Sequence, residues 1–145
     1  MQAFIVEGTN QAGELARQAD AIAARGINIE AFSIAYGERG GTVFLAQDED
    51  GVRAALTDAG FRYQEVPILT ISLEDQPGMV ASAAKRLADA GVNIELFLPV
   101  DFGSGRKATV AIGVDKIADA RRALSDQLID WTIPVVAVHA GSGMR

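Results

Sequence analysis

The 145-residue sequence has no cysteine, a single histidine, four prolines and only 6% aromatic residues. Without cysteine there is no disulfide, no thiolate metal site and no thiol nucleophile. His139 stands close to the chain end, and one imidazole builds neither a metal site nor a catalytic triad. No apolar run is long enough to span a bilayer. The stretch MQAFIVEGTNQ lacks the positive n-region and long apolar core of a signal peptide. Positive charge is also scarce, with 13 Lys and Arg against 19 Asp and Glu and a formal net charge of −6. That balance argues against a nucleic-acid backbone or an anionic membrane as the main partner. The pairs Lys85-Arg86 and Arg121-Arg122 are solvated helix charges rather than a basic stripe. The expectation is a soluble cytoplasmic protein.

What is present is a folded composition, 49% hydrophobic and 22% charged, enough for one ordinary domain or two very small ones sharing a core. The dominant feature is a repeat. NQAGELARQADAIAARGINIEAF from Asn10 to Phe32 returns as DQPGMVASAAKRLADAGVNIELF from Asp75 to Phe97, at a constant offset of 65 positions. Gln11, Gly13, Ala16, Ala19, Ala23, Gly26, Asn28, Ile29, Glu30 and Phe32 match Gln76, Gly78, Ala81, Ala84, Ala88, Gly91, Asn93, Ile94, Glu95 and Phe97. Farther on the offset grows to 68, so that Leu56 and Asp58 match Leu124 and Asp126.

In the first copy, Ala3 to Val6 predicts a short strand. Asn10 is a possible N-cap for a helix from about Gly13 to Arg25, with Leu15, Ala19, Ile22 and Ala23 as its apolar face. Gly26 stands where a left-handed C-cap is needed. Ile27 to Tyr36 and Thr42 to Ala46 predict two strands joined by a glycine-rich hairpin turn. A second helix, Asp48 to Ala59, carries Val52, Ala55, Leu56 and Ala59 inward, and a strand follows through Phe61, Tyr63 and Val66. The glycines between strands lack the strand-to-helix setting and Gly-Lys-Ser/Thr signature of a phosphate loop.

Pro67 opens the second copy: strand Ile68 to Leu73, then helix Gly78 to Ala90 with Val80, Ala84, Leu87 and Ala88 inward. Strands Val92 to Val100 and Lys107 to Val114 follow around the Gly103-Ser104-Gly105 turn. Helix Asp115 to Leu128, a closing strand Trp131 to Val138 and a short tail complete it. The order in each copy is that of the split β-α-β unit, β-α-β-β-α-β, which predicts an α+β fold of two ferredoxin-like repeats. Each has an antiparallel sheet with helices on one face, over residues 1–66 and 67–145. The other sheet face, with Ile5, Ile34, Phe97 and Val135 assigned to it, is too apolar to stay wet and calls for contact between copies or for dimerisation.

Nearly the whole chain resembles a tandem pair of ACT domains, in particular the paired ACT region of aspartokinases without an attached kinase. The resemblance rests on Leu73-Glu-Asp-Gln-Pro-Gly-Met-Val80, on Gly-Val-Asn-Ile at 91–94, and on the weaker Asn-Gln-Ala-Gly and Gly-Ile-Asn-Ile of the first copy. It implies a non-enzymatic regulatory or sensor protein that binds a small amino acid where modules meet. The ligand-binding residues would be Asp75, Gln76, Pro77, Gly78, Met79, Asn93 and Ile94 of the second copy and Asn10, Gln11, Ala12, Gly13, Asn28 and Ile29 of the first, the 75–78 loop meeting Asn28 and the 10–13 loop meeting Asn93, within the chain or across a homodimer. Asn10 and Ala12 depart from the Asp-x-Pro-Gly loop, so the second-copy loop is expected to carry the site if there is only one.

The residues themselves allow such a site. A helix N-terminus offers unpaired N–H groups and positive dipole to a carboxylate, Asp75 could meet an ammonium, and each asparagine offers donor and acceptor. Each also has a plainer role: Asp75 and Asn10 as N-caps, Gly13 and Gly78 as close-packing points, Asn28 and Asn93 as turn residues. The alternative reading is a dimerisation module, or a regulatory subunit of a separately encoded enzyme of amino-acid metabolism, that no longer binds ligand. No cofactor or metal is expected. An enzyme using Glu74 or Asp75 as acid or base is disfavoured, since no matched second group is positioned to cooperate.

Overall fold

A computed structural model describes residues 1–103 and 105–133. Its centre is one antiparallel six-stranded sheet in the order β2-β3-β1-β4-β6-β5. The strands are β1 Gln2–Thr9, β2 Glu30–Tyr36, β3 Arg39–Leu45, β4 Tyr63–Glu74, β5 Ile94–Asp101 and β6 Lys107–Val114. Four helices, α1 Glu14–Ala23, α2 Glu49–Asp58, α3 Met79–Asp89 and α4 Ile117–Ala123, alternate with them in the order β1-α1-β2-β3-α2-β4-α3-β5-β6-α4 among the described residues.

The two strands expected on either side of Pro67 are one. β4 runs unbroken for 12 residues and uses its edges in turn. Tyr63 to Pro67 pair with β1, and Ile68 to Glu74 pair with β6. Pro67 sits at the changeover, opposite Gln2, where a missing N–H is tolerated. The first half of the chain thus forms β2-β3-β1-β4 and the second β4-β6-β5. The changeover is tight. A Cβ on Gly113, which pairs with Ile68, would come within 2.7 Å of Leu96 Cγ and 2.9 Å of Val66 Cγ1.

Alternation along β4 sorts its side chains to two faces. On the helical face, Phe4, Val6, Phe44, Ile22, Val52 and Leu56 pack around the first copy. Leu69, Ile71, Leu73, Ala83, Leu87, Ile112 and Ala120 pack around the second. On the other face Ala3 and Leu45 join Ile68, Leu96 and Ala111, so the halves share a third cluster.

The expected final strand, Trp131 to Val138, is not formed by Trp131–Ile133; residues 134–138, including Val135, and the tail with His139 lie outside the described residues. The approach to that strand does occur. Ser72 N–H donates to the Gln127 carbonyl, and Ile129 N–H to Thr70 O at 3.0 Å. Further pairing along β4 is blocked because Ile68 N–H donates to the Met1 carbonyl. The chain turns away instead, placing Trp131 and Ile133 on the third cluster, with the Ile133 carbonyl accepting from Gln47 Nε2 at 2.8 Å.

Several local expectations are corrected. α1 buries Gln18 and Ile22, while Leu15 and Ala23 face solvent. α3 likewise buries Ala83 and Leu87 and leaves Val80 and Ala88 outside. α2 keeps Val52, Ala55 and Leu56 inward and ends before Ala59, with Asp48 as a true N-cap accepting from Gly51 N–H at 2.9 Å. α4 stops at Ala123, short of Leu128, as the following residues reach for β4. Phe97 is on the helical face, not the other one. A register shift between Ile94 and Leu96 bulges Glu95, and one extra residue swaps the faces of Leu96 to Pro99, up to a second shift between Pro99 and Asp101. Phe32 accordingly packs on the third cluster and Phe97 on the second-copy core.

Ion pairs join helices to their neighbours. Arg25 pairs with Asp58 and Arg86 with Asp126; the two carboxylates are equivalent in the repeat, Asp58 closing α2 and Asp126 lying beyond the end of α4. Arg53 Nε donates to Glu65 Oε2 at 2.9 Å, tying α2 to β4. The Arg53 hydrogen bond holds the Glu65 carboxyl below its ordinary range, and the Arg86 hydrogen bond does the same for Asp126.

Gly113→Ala should destabilise the whole fold by about 1–3 kcal/mol through overpacking, read in urea as one cooperative transition. Separate transitions for the two halves would show that the joint does not couple them. Depressed carboxyl pKa values stabilise the fold above the unfolded-state pKa, and that contribution is lost as pH falls through the lower folded-state values. Arg86→Met and Arg53→Met should therefore lower the unfolding midpoint at neutral pH and flatten its decline in acid, measured by thermal melts across pH.

Candidate functional site

Each first-helix loop lies beside the hairpin of its own copy. Asp75 N–H donates to the Arg106 carbonyl, and Asn10 N–H donates to Glu38 O at 3.0 Å while its Nδ2 donates to Gly37 O at 2.9 Å. Neither side chain caps the helix. Gly13 and Gly78 occupy the N-cap positions at φ 87° and 86°, a left-handed conformation that favours glycine, and among the described residues no side chain completes either cap. The first-turn N–H groups of α3 at Val80 and Ala81 therefore lack an intrahelical partner.

In the second copy this loop borders a cavity of about 590 Å³. It is lined by Asp75, Gln76, Met79 and Val80 on the loop and helix side, and by Phe97, Pro99, Phe102, Lys107 and Val110 on the hairpin side. The bulge at Glu95 is what turns Phe97 and Pro99 toward it. Val80 is 57% and Phe102 72% exposed, so the rim is apolar and open. Pro77 and Gly78 are exposed in the loop and do not line the cavity. The hairpin residues were not among the sequence candidates. The signal for them was the unbroken Leu96-Phe97-Leu98 run, which cannot alternate.

The equivalent cavity of the first copy is about 110 Å³ and is bordered by Asn10, Gln11, Glu14, Gln18, Ser33 and Thr42 among others. Ala12 and Gly13 are exposed beside it.

The asparagines lie elsewhere. Asn93 N–H donates to Asp115 Oδ1 at 2.8 Å, and its Nδ2 to Glu95 Oε1 at 3.3 Å. It thus ties the start of β5 to the approach to α4. Ile94 and Ile29 pack against the two cores, and Asn28 is exposed before β2. Asn93 is a strand length from its own hairpin, roughly 25 Å at ~3.3 Å per residue. Between copies, Asp75 follows the far end of β4 from Tyr63, where the first-copy loop lies. The pairing of Asp75–Gly78 with Asn28, or of Asn10–Gly13 with Asn93, does not occur within one chain.

No family model matches the chain, and no curated protein sequence matches it. Solved structures do. A protein from Bacteroides thetaiotaomicron superposes with a TM-score of 0.70 at 22% identity, over 88% of this chain and 90% of that one. The ligand-free regulatory subunit of aspartate kinase from Thermus thermophilus gives 0.60 at 21%, over 87% and 90%. The aspartokinase alpha and beta subunit structure gives 0.60 at 19%, over 86% and 90%. The fold is that of aspartate kinase regulatory subunits, in keeping with the ACT-type resemblance of the sequence. No described helix is long and apolar enough to cross a membrane.

Proposed function

We propose that this chain is a non-catalytic regulatory or sensor protein of two ACT-type repeats sharing β4, which binds a small amino acid at the Asp75–Met79 loop. The supporting observation is the roughly 590 Å³ cavity in which that loop faces an apolar wall. An α-carboxylate would sit at the uncapped N-terminus of α3, where N–H groups and helix dipole favour an anion. The Asp75 carboxylate would take the α-ammonium. Phe97, Pro99 and Val110 would take the side chain, which favours aliphatic amino acids over charged ones. The fold likeness to aspartate kinase regulatory subunits supports a regulatory role, with an enzyme of amino-acid metabolism as the partner and the cytoplasm as the setting.

A homodimer is the second part of the reading. β2 is an edge strand with no proline, and only Glu30 among its residues is charged. Ile34 and Tyr36 on it are 76% and 90% exposed, an edge without the usual protection against pairing. In a dimer, Asn28 of a second copy would come to the 75–78 loop, and Asn93 of one copy to the 10–13 loop of the other. The reading in which the pair serves only for dimerisation is favoured by the same exposed strand.

Isothermal titration against the twenty amino acids should show binding of an aliphatic one, weakened about ten-fold or more by Asp75→Ala, the equivalent of ~1.4 kcal/mol. No binding at millimolar concentration would leave only the dimerisation reading. Combined Ile34→Lys and Tyr36→Lys should reduce the mass measured by sedimentation from dimer to monomer; an unchanged mass would place the interface elsewhere.

A further inference from the structure

The two copies frame the same cavity with different residues. Asn10, Glu14 and Thr42 border the first-copy cavity at the positions where Asp75, Met79 and Val110 border the second. The register confirms the last pair, since Thr42 faces Ser33 across the hairpin as Val110 faces Pro99. Yet the first cavity is about 110 Å³ and the second about 590 Å³, and only the second falls in the range that encloses a small molecule.

A carboxylate is already folded into the first cavity. Glu14 opens α1, yet its side chain is only 18% exposed. It turns back over β1 at Gly8, where a Cβ would lie 3.1 Å from Glu14 Cγ and 3.2 Å from Glu14 Oε1. In the second copy that position is Leu73, whose buried side chain belongs to the core. Glu14 Oε1 accepts two hydrogen bonds, from Arg17 Nη2 at 2.8 Å and from the buried Gln18 Nε2 at 3.4 Å. The cavity lining holds no Lys, Arg or His to receive a second anion. Met79, at the position of Glu14, packs against the second-copy core and carries no charge.

We propose that the Glu14 carboxylate is a built-in occupant of the first-copy pocket, which closes that copy to amino acids and other carboxylates. The side chain takes up the space beside Gly8, engages the Arg17 and Gln18 donors, and repels a second carboxylate. Glu14 is in this way the residue that separates the two copies, a tethered acid against the neutral thioether of Met79. The first copy is held in one filled state, and only the second responds to a ligand. That last step, one amino acid per chain, rests on the reading of the Asp75 loop; the occupancy by Glu14 does not.

The test compares sodium acetate with sodium chloride, at equal ionic strength, on the full chain and on Glu14→Ala. It follows the Leu15 and Thr42 methyls by NMR and the thermal midpoint. In Glu14→Ala, acetate should replace the missing carboxylate, shifting the buried Thr42 methyl saturably and raising the midpoint. The unaltered chain should respond to the two salts alike, and Glu14→Ser, a second truncation, should behave as Glu14→Ala does. An acetate response no larger in the folded truncations than in the unaltered chain would overturn the proposal. So would acetate shifts at Thr42 with Glu14 in place. Amino-acid titration of the unaltered chain should give one site per chain, and two sites would overturn the closure of the first copy. No amino-acid binding at all would remove the Asp75-loop reading, while the acetate comparison would still decide the role of Glu14.

Discussion

Everything in this fold depends on the backbone pairing of β4. A single strand has two edges, and here the first half of one edge is taken by β1 while the second half of the other is taken by β6. Two units, each at the lower limit of independent stability, thereby share hydrogen bonds and a hydrophobic layer. Gly113 shows how little slack the arrangement leaves, since Leu96 and Val66 already occupy the space of its missing side chain. The same geometry explains why Asp130–Ile133 do not continue along β4 as a strand. Met1 and Gln2 already hold that part of the β4 edge, so Trp131 and Ile133 cover the sheet face instead.

Sharing β4 also separates each loop from the asparagine of the other copy that the family resemblance implied it would meet. The two loops project at opposite ends of the long strand. Within one chain they do not meet, and each lies beside its own hairpin. The bulge at Glu95 then makes the two settings unlike. By rotating Phe97 and Pro99 onto the helical face, it enlarges and greases the second cavity, whereas the first stays small and polar around Gln18.

Element order was legible in the sequence because its causes are local: stopping glycines, hairpin turns and alternating strands. Three features were not. The alanines of α1 and α3 suggested a buried stripe, but an alanine methyl buries too little area to orient a helix, and Ile22 and Leu87 decided the inward face. Asn10 and Asp75 looked like caps, yet the left-handed Gly13 and Gly78 hold that position. The fusion of two strands across Pro67 depends on pairing with β1 and β6, far away in sequence. Of the candidate site, the loop residues Asp75, Gln76 and Met79 were identified, while Phe97 was hidden by a one-residue bulge that no periodicity announces.

The central claim is that one fold, repeated about a shared strand, carries two chemically distinct loop cavities, of which the second receives an amino acid. Methyl-resolved NMR during titration with a mixture of aliphatic amino acids tests it most directly. The account predicts saturable shifts at the Met79, Val80 and Val110 methyls with Leu15 and Thr42 unmoved. Shifts centred on Leu15 and Thr42, or none at Met79 and Val110, would contradict it.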